Sequence, residues 1–226
     1  KAEPDGYTMG LTGNGHTLAH SLFKSLPYDI SKDFAHVSTI GFFDLAIVVS
    51  PKSGFRTLED LINHAKANPG KLSWGTAGIG SHGHLTCEHF KLITGADILH
   101  VPYRGGGESL SDFLAGVVQL HGDPNTLPAI SAGKAKLLAV IDDERHPSFP
   151  DVPMMKEVYP EIDYVAWFAM YAPAGTPKPI VDKMAAEMNK IAREPEMRPF
   201  LLKFALRPHP GSPEELAALT RADSER

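Results

Sequence analysis

Leu72-Ser73-Trp74-Gly75-Thr76-Ala77-Gly78-Ile79-Gly80-Ser81 is the stretch whose reading decides the fold. The short apolar run Leu72–Gly75 gives way to a glycine-rich loop, and Ser81 stands where it can cap a helix that runs to Gly95. A second strand candidate, Asp97–Val101, follows directly. Strand, glycine loop, helix, strand is the repeating unit of an α/β protein.

The same alternation extends in both directions. Further strand candidates are Tyr7–Thr12, Leu45–Ser50, Val117–His121, Lys136–Ile141 and Val165–Ala172. Between them lie helices with legible starts. Thr57-Leu58-Glu59-Asp60 places an N-cap before an acidic first turn, with Leu58, Leu61, Ile62 and Ala65 as the apolar stripe. Thr176-Pro177 reads as an N-cap followed by proline at the first helical position, opening a long helix. Ser212-Pro213-Glu214-Glu215 has the capping-box pattern. The expectation is an α/β fold with mainly parallel sheets. The segment from Pro147 to Pro153 is a loop, because its three prolines remove donors and fix φ.

Bulk properties narrow the function. The 226 residues are 42% hydrophobic and 22% charged, enough to bury a core in one large or two small domains. A net charge of −5 argues against a nucleic-acid partner, so an anion would have to be caught by local geometry. No apolar run approaches the roughly 18 residues that span a membrane, so no membrane insertion is expected. Cys87 is the sole cysteine, which excludes an internal disulfide.

Four loops follow strand candidates and carry chemistry. Gly75–Ser81 offers backbone N–H groups at a helix start, with Thr76 and Ser81 as hydroxyl donors and Ala77, Gly78 and Gly80 as close-approach positions. It suits a carboxylate or phosphate, although an ordinary βα turn would read the same way. Thr12-Gly13-Asn14-Gly15-His16 forms a second polar lip. Tyr103-Arg104-Gly105 combines an aromatic, a cation able to clamp a carboxylate and flexible backbone. Asp123 lies in the loop after His121. Ligands in parallel α/β sheets gather at the carboxyl ends of strands, so four such loops weigh more than any one.

Competing motifs are weaker. Gly78-x-Gly80-x-x-Gly83 matches the dinucleotide fingerprint and sustains the alternative of a nucleotide-dependent oxidoreductase. However, Tyr103-Arg104 stands where the ribose-binding acid belongs. Ile79 occupies the position at which a nucleophile elbow at Ser81 needs glycine. His16 and His20 have i, i+4 spacing without an acid or cysteine beside them, and His82, His84 and His89 cluster without helical metal spacing.

Several segments resemble, in order, the tripartite tricarboxylate transporter receptor family (Bug/TctC type). They are Pro4-Asp5-Gly6-Tyr7-Thr8, Leu26-Pro27-Tyr28-Asp29 with Lys32-Asp33-Phe34, Ala65–Leu72, His100-Val101-Pro102-Tyr103-Arg104-Gly105, Ala132-Gly133-Lys134, Pro150–Pro153 and Ala172–Pro177. The resemblance implies a two-lobed, type II periplasmic-binding-protein-like α/β fold. It also implies a periplasmic receptor, not an enzyme, that needs no metal or cofactor, holds a small organic acid in a cleft and delivers it to membrane permease subunits. On that basis Thr12, Asn14, Gly15, His16, Thr76, Ala77, Gly78, Gly80, Ser81, Tyr103, Arg104 and Asp123 are expected to contact the ligand. One lobe is expected to comprise 1–45 with 167–226, lacking the family's N-terminal βαβ part, and the other 46–166. Arg104 stands where the family commonly has lysine, Gly106-Gly107-Glu108 replaces a small-polar and proline stretch, and the loop after Asp123 is shorter than usual.

Overall fold

The computed structural model describes residues 2–17, 19–30, 32–43 and 45–225; the side chain of Ser21 lies outside that description. Two compact units are present. One is built from Lys1–Phe43, Ala166–Leu202 and Leu206–Arg226, the other from Asp44–Val165 with Lys203–Ala205.

The first unit holds β1 (Gly10–Gly13), the short α1 (Ala19–Leu22) and β2 (Phe34–Phe43). The second unit contains β3 (Leu45–Val49), α2 (Leu58–Ala67), β4 (Leu72–Thr76), α3 (His82–Thr94), β5 (Ile98–Pro102) and α4 (Gly106–Ala115). It continues through β6 (Leu120–His121), α5 (Leu127–Ser131), β7 (Lys136–Ile141) and α6 (Met155–Val158). The chain returns to the first unit with β8 (Ala166–Pro173), α7 (Lys178–Ala192), α8 (Met197–Leu202), β9 (Leu206–Pro208) and α9 (Pro213–Ser224).

The α/β reading holds, but the parallel expectation holds only in part. The sheet of the first unit, in the order β1-β8-β2-β9, is antiparallel at every pairing. The sheet of the second unit, β5-β4-β6-β3-β7, is mixed: β4 runs parallel to β5 and β6, while β3 is antiparallel to β6 and β7. Consequently Thr12–His16 follows an antiparallel strand, and only three of the four chemically promising loops lie at parallel carboxyl ends.

Local signals explain most boundaries. Thr57 and Asp60 form the reciprocal capping box of α2, Ser212 and Glu215 that of α9, and Ser81 caps α3. Gly95, at φ 70°, ends α3 in the left-handed conformation. Three expectations shift. Pro177, not Thr176, is the N-cap of α7, and the Thr176 hydroxyl donates to the Pro173 carbonyl. The strand expected from Val117 begins only at Leu120, because Gly116 closes α4 at φ 84° and the chain turns before pairing. The strand expected from Tyr7 begins at Gly10.

In the second unit, Trp74, Phe90, Leu61, Ile47, Ile98 and Leu120 are fully buried. In the first, β8 alternates with period two. Trp167, Ala169 and Tyr171 pack with Leu216 of α9, whereas Met170 and Ala172 pack with Val181 and Ala185 of α7. A strand covered on both faces has no solvent side, which is why Val165–Ala172 reads as an apolar run.

A polar joint ties the start of this unit to its end. Asp223 on α9, 9% exposed, accepts hydrogen bonds from Trp167 Nε1 at 2.7 Å and Asn14 Nδ2 at 3.0 Å. Asp223→Ala leaves both donors without that acceptor. The expected loss is about 2–4 kcal/mol in urea unfolding followed by Trp fluorescence. A loss well under 1 kcal/mol would show that the joint does not stabilise the fold.

Candidate functional site

Three adjacent parallel strands, β5-β4-β6, end in the loops 103–105, 77–81 and 122–126. These loops hold one another. The Tyr103 N–H donates to the Thr76 carbonyl at 3.0 Å, and a Cβ added at Gly78 would stand 2.8 Å from the Tyr103 carbonyl oxygen. Gly78 also has φ 122°, a conformation that side-chain-bearing residues rarely adopt, so this position requires glycine on two counts.

Thr76 is completely buried. Its hydroxyl lies 2.7 Å from His100 Nε2 and accepts the Gly78 N–H at 3.3 Å, so it positions the loop from beneath. Gly80 donates its N–H to His84 Nδ1 at 3.1 Å, and the Ser81 hydroxyl accepts the His84 N–H at 3.3 Å while keeping its own proton to give. The N–H groups of Ile79 and Gly83 have no hydrogen-bond partner among the described residues. Gly83 is buried against Asp123, so the exposed Ile79 N–H is the donor at the start of this 13-residue helix that is open to an anionic acceptor. The Tyr103 hydroxyl donates to Asp112 at 2.7 Å, which ties the 103–105 loop to α4. Arg104 is exposed; its backbone N–H binds Glu108, and its guanidinium makes no hydrogen bond or ion pair among the described residues.

Asp123 sits where these elements meet. Its carboxylate faces the Ala77 N–H, which favours the charged form, and its Oδ2 has no hydrogen-bond partner among the described residues. Oδ1 would lie 2.8 Å from a Cβ at Gly83 in the first turn of α3, and Oδ2 would lie 3.1 Å from a Cβ at Gly106 opening α4. A Cβ at Gly83 would force the carboxylate to shift, and one at Gly106 would crowd it, so glycine at these positions lets the two helix starts close around Asp123. Burial pushes its carboxyl up to about 6, against the pull of the nearby Ala77 N–H, which favours ionisation. Neighbouring His121 is fully buried and held down at about 4 by desolvation. The 4.0 Å approach of His121 Nε2 to Asp123 Oδ2 is therefore not an ion pair, since near neutral pH the imidazole is uncharged. The Thr126 hydroxyl donates to the Asp123 carbonyl and lies 2.6 Å from His121 Nδ1, which must then carry the ring proton.

The first unit carries the remaining candidates. Thr12 Oγ1 and His16 Nδ1 bond to each other, and burial lowers the pKa of His16. Asn14 is engaged within the unit, donating to Asp223 and accepting the Trp167 N–H at 3.4 Å. Gly15 is buried. His16 lines a cavity of about 380 Å³ with His20, Lys24, Tyr28 and Asp29. Trp167 is 1% exposed and belongs to the core.

Sequence reasoning missed His100, Gly106 and the acceptor role of His84. Each gains its meaning from a neighbour more than three residues away, and no local pattern marks it. The dinucleotide fingerprint resolves into packing. Gly83 lies against Thr76 and Asp123, the sheet is mixed, and β5 ends in Pro102 before Tyr103-Arg104, with no acid there. Cys87 is buried, and its thiol is pushed up to about 12, so it does not act as a nucleophile.

Fold and loop geometry together define a protein of the periplasmic-binding-protein class. The solved structure of the periplasmic binding protein BugD matches the whole chain at a TM-score of 0.95 and 30% identity, with 77% of that chain covered. Residues 1–226 match the family described as tripartite tricarboxylate transporter family receptor, and the chain belongs to it. Among curated relatives, BugT of Bordetella pertussis is 37% identical over 195 residues, covering 84% of this chain and 60% of the relative. A Pseudomonas protein from a tcbD–tcbE intergenic region is 33% identical, covering all of this chain and 68% of the relative. This chain thus spans about two thirds of their length. MatC of Rhodopseudomonas palustris, solved with malate, aligns at a TM-score of 0.92 and 28% identity. A second R. palustris protein, solved with adipate, aligns at 0.93 and 30%; the chain covers 79% and 77% of them respectively.

Asp123 gives a pH test. Unfolded, a carboxyl titrates near pH 3.9, and folded this one titrates at about 6. The native state holds the proton more tightly, so the stability contributed by this group is full below about pH 4 and is lost as pH rises through 6. The loss is about 3 kcal/mol. Asp123→Asn cannot ionise. Its stability relative to the parent should therefore rise between pH 4 and 6 and then level off, read from urea midpoints; a pH-independent difference would contradict the assignment.

Proposed function

We propose that this chain is the solute-binding part of an extracytoplasmic, periplasmic receptor. It captures a small organic acid and hands it, chemically unchanged, to the membrane permease subunits of a tripartite tricarboxylate-type transporter. The observation that carries this reading is the 76–81 loop. Its Ile79 N–H is unpaired at an exposed position and its Ser81 hydroxyl keeps a proton to give, Thr76 and His84 fix the loop from below, and the guanidinium of Arg104 on the adjoining strand end makes no hydrogen bond or ion pair among the described residues. Membership in the receptor family supports it, as do the relatives solved with malate and adipate.

Within this proposal, the Ile79 N–H and the Ser81 hydroxyl donate to the carboxylate, Ala77, Gly78 and Gly80 give it room to approach the backbone, Arg104 supplies the charge, and Thr76, Tyr103 and Asp123 hold the loops in place. Thr12, Gly15 and His16 are a further candidate contribution, and Asn14 acts through them as a structural anchor. The two units are taken as the two lobes, 1–43 with 166–202 and 206–226 making one and 44–165 with 203–205 the other. No helix among the described residues is long and apolar enough to cross a membrane.

Calorimetric titration with malate, adipate and other small carboxylates tests the reading. At least one acid should bind at one equivalent and be recovered unaltered after prolonged incubation; consumption of the acid would sink it. Gly78→Ala places a methyl group against the Tyr103 carbonyl and strains the backbone. It should weaken that acid by roughly 1–3 kcal/mol, the scale of losing hydrogen bonds to a charged group. Parent-like affinity in a folded Gly78→Ala protein would remove the cradle from the site.

A further inference from the structure

Helix α3 and strand β5 assemble three side chains that lie far apart in the chain. His84 and Glu88 are four residues apart on α3 and so share one face. His100 stands in the middle of β5, its ring centroid 4.4 Å from that of His84 with the planes 32° apart. One ligand atom from each of His84, Glu88 and His100 falls within 4.8 Å of the others, the only such group of three or more among the described residues.

We propose that His84, Glu88 and His100 form a binding site for a divalent first-row transition metal, with zinc the best fit. Two imidazoles and a carboxylate are the donor set of zinc centres that keep a fourth position open. Donors about 2.1 Å from a tetrahedral ion stand roughly 3.4 Å apart, so the group must contract by little more than 1 Å. Glu88 is exposed and free to move. Both rings are supplied as neutral imidazoles: burial pushes His100 down to about 4 and lowers His84 as well. The Thr76 hydroxyl at His100 Nε2 fixes that ring, and in the tautomer whose Nε2–H donates to it the Nδ1 lone pair is left for the ion.

Two contacts oppose the ion and set its consequence. Lys91 pairs with both Glu88 oxygens at 2.9 and 3.0 Å, but an exposed pair of this kind contributes little and yields to a cation. His84 Nδ1 holds the Gly80 N–H. A neutral imidazole has a single ring lone pair. Metal at Nδ1 displaces that N–H directly, and metal at Nε2 moves the ring proton to Nδ1, which then cannot accept. Either way, metal binding frees the Gly80 amide and couples the ion to the 76–81 loop. The site itself does not depend on the carboxylate reading.

Chelator-treated protein titrated with Zn2+ by calorimetry, and with Co2+ followed by visible absorption, tests the site. One equivalent should bind, Co2+ should develop the strong bands of a low-coordinate ion, and the Gly80 amide should shift in a 15N NMR spectrum. His84→Gln and Glu88→Gln should each weaken Zn2+ about tenfold or more, while Lys91→Ala should tighten it several-fold. Glu88 and Lys91 are on the surface, so these variants keep the test valid even if His100→Gln fails to fold. Absence of a stoichiometric site, or affinity unchanged in both His84→Gln and Glu88→Gln, would overturn the proposal; the latter would place the ion elsewhere, at His16 and His20 for instance.

Discussion

A carboxylate buried between two helix starts is the constraint around which the second unit is organised. The Asp123 carboxylate faces the Ala77 N–H of one loop, while Gly83 and Gly106 let the first turns of α3 and α4 come within contact of its two oxygens. An anion there is tolerable because helix starts present partial positive charge and unpaired N–H groups. It is still expensive, as its raised pKa records. The arrangement places the ends of β4, β5 and β6 in a fixed relation, which a loop holding a ligand by backbone donors needs, because backbone donors cannot adjust as side chains do.

How much of this was legible in the sequence depended on how local each signal was. The capping boxes at Thr57 and Ser212, the Ser81 cap and the Gly95 stop follow from residues within four positions of one another, and they appear where the sequence places them. Strand β2 was invisible for a physical reason. Register shifts between His36 and Ser38 and between Thr39 and Gly41 break its period of two, and its polar residues are satisfied by tertiary contacts, such as Ser38 donating to the Gly211 carbonyl. Missing β2, the central partner of β8, made the first unit look parallel by default. Strand β9 was equally hidden. It pairs only because Gly41 leaves room: a Cβ there would lie 2.2 Å from the Arg207 carbonyl oxygen.

For the candidate site the same rule applies. The glycine loop was found because strand, glycines and helix cap are contiguous. The supporting cast was not, since Thr76 meets His100 across 24 residues and Gly106 meets Asp123 across a strand. The structure also redistributes roles among residues that the sequence marked alike. Asn14, Thr76 and Tyr103 have their polar atoms engaged inside the protein, whereas Ile79, chosen by no motif, sits on an open donor. Residue type identified the neighbourhood, and hydrogen-bond accounting separated the residues that hold from the residues that are available.

Cys87 has a consequence beyond its place in the core. The only sulfhydryl in the chain sits on the buried face of α3 and is firmly protonated, so maleimide or iodoacetamide reagents meet a background that does not react. Ile79, 64% exposed at the tip of the glycine loop, lies only eight positions earlier. A fluorophore attached through a thiol introduced there would report from one defined spot, making this chain a ready scaffold for an optical sensor of whatever settles on that loop.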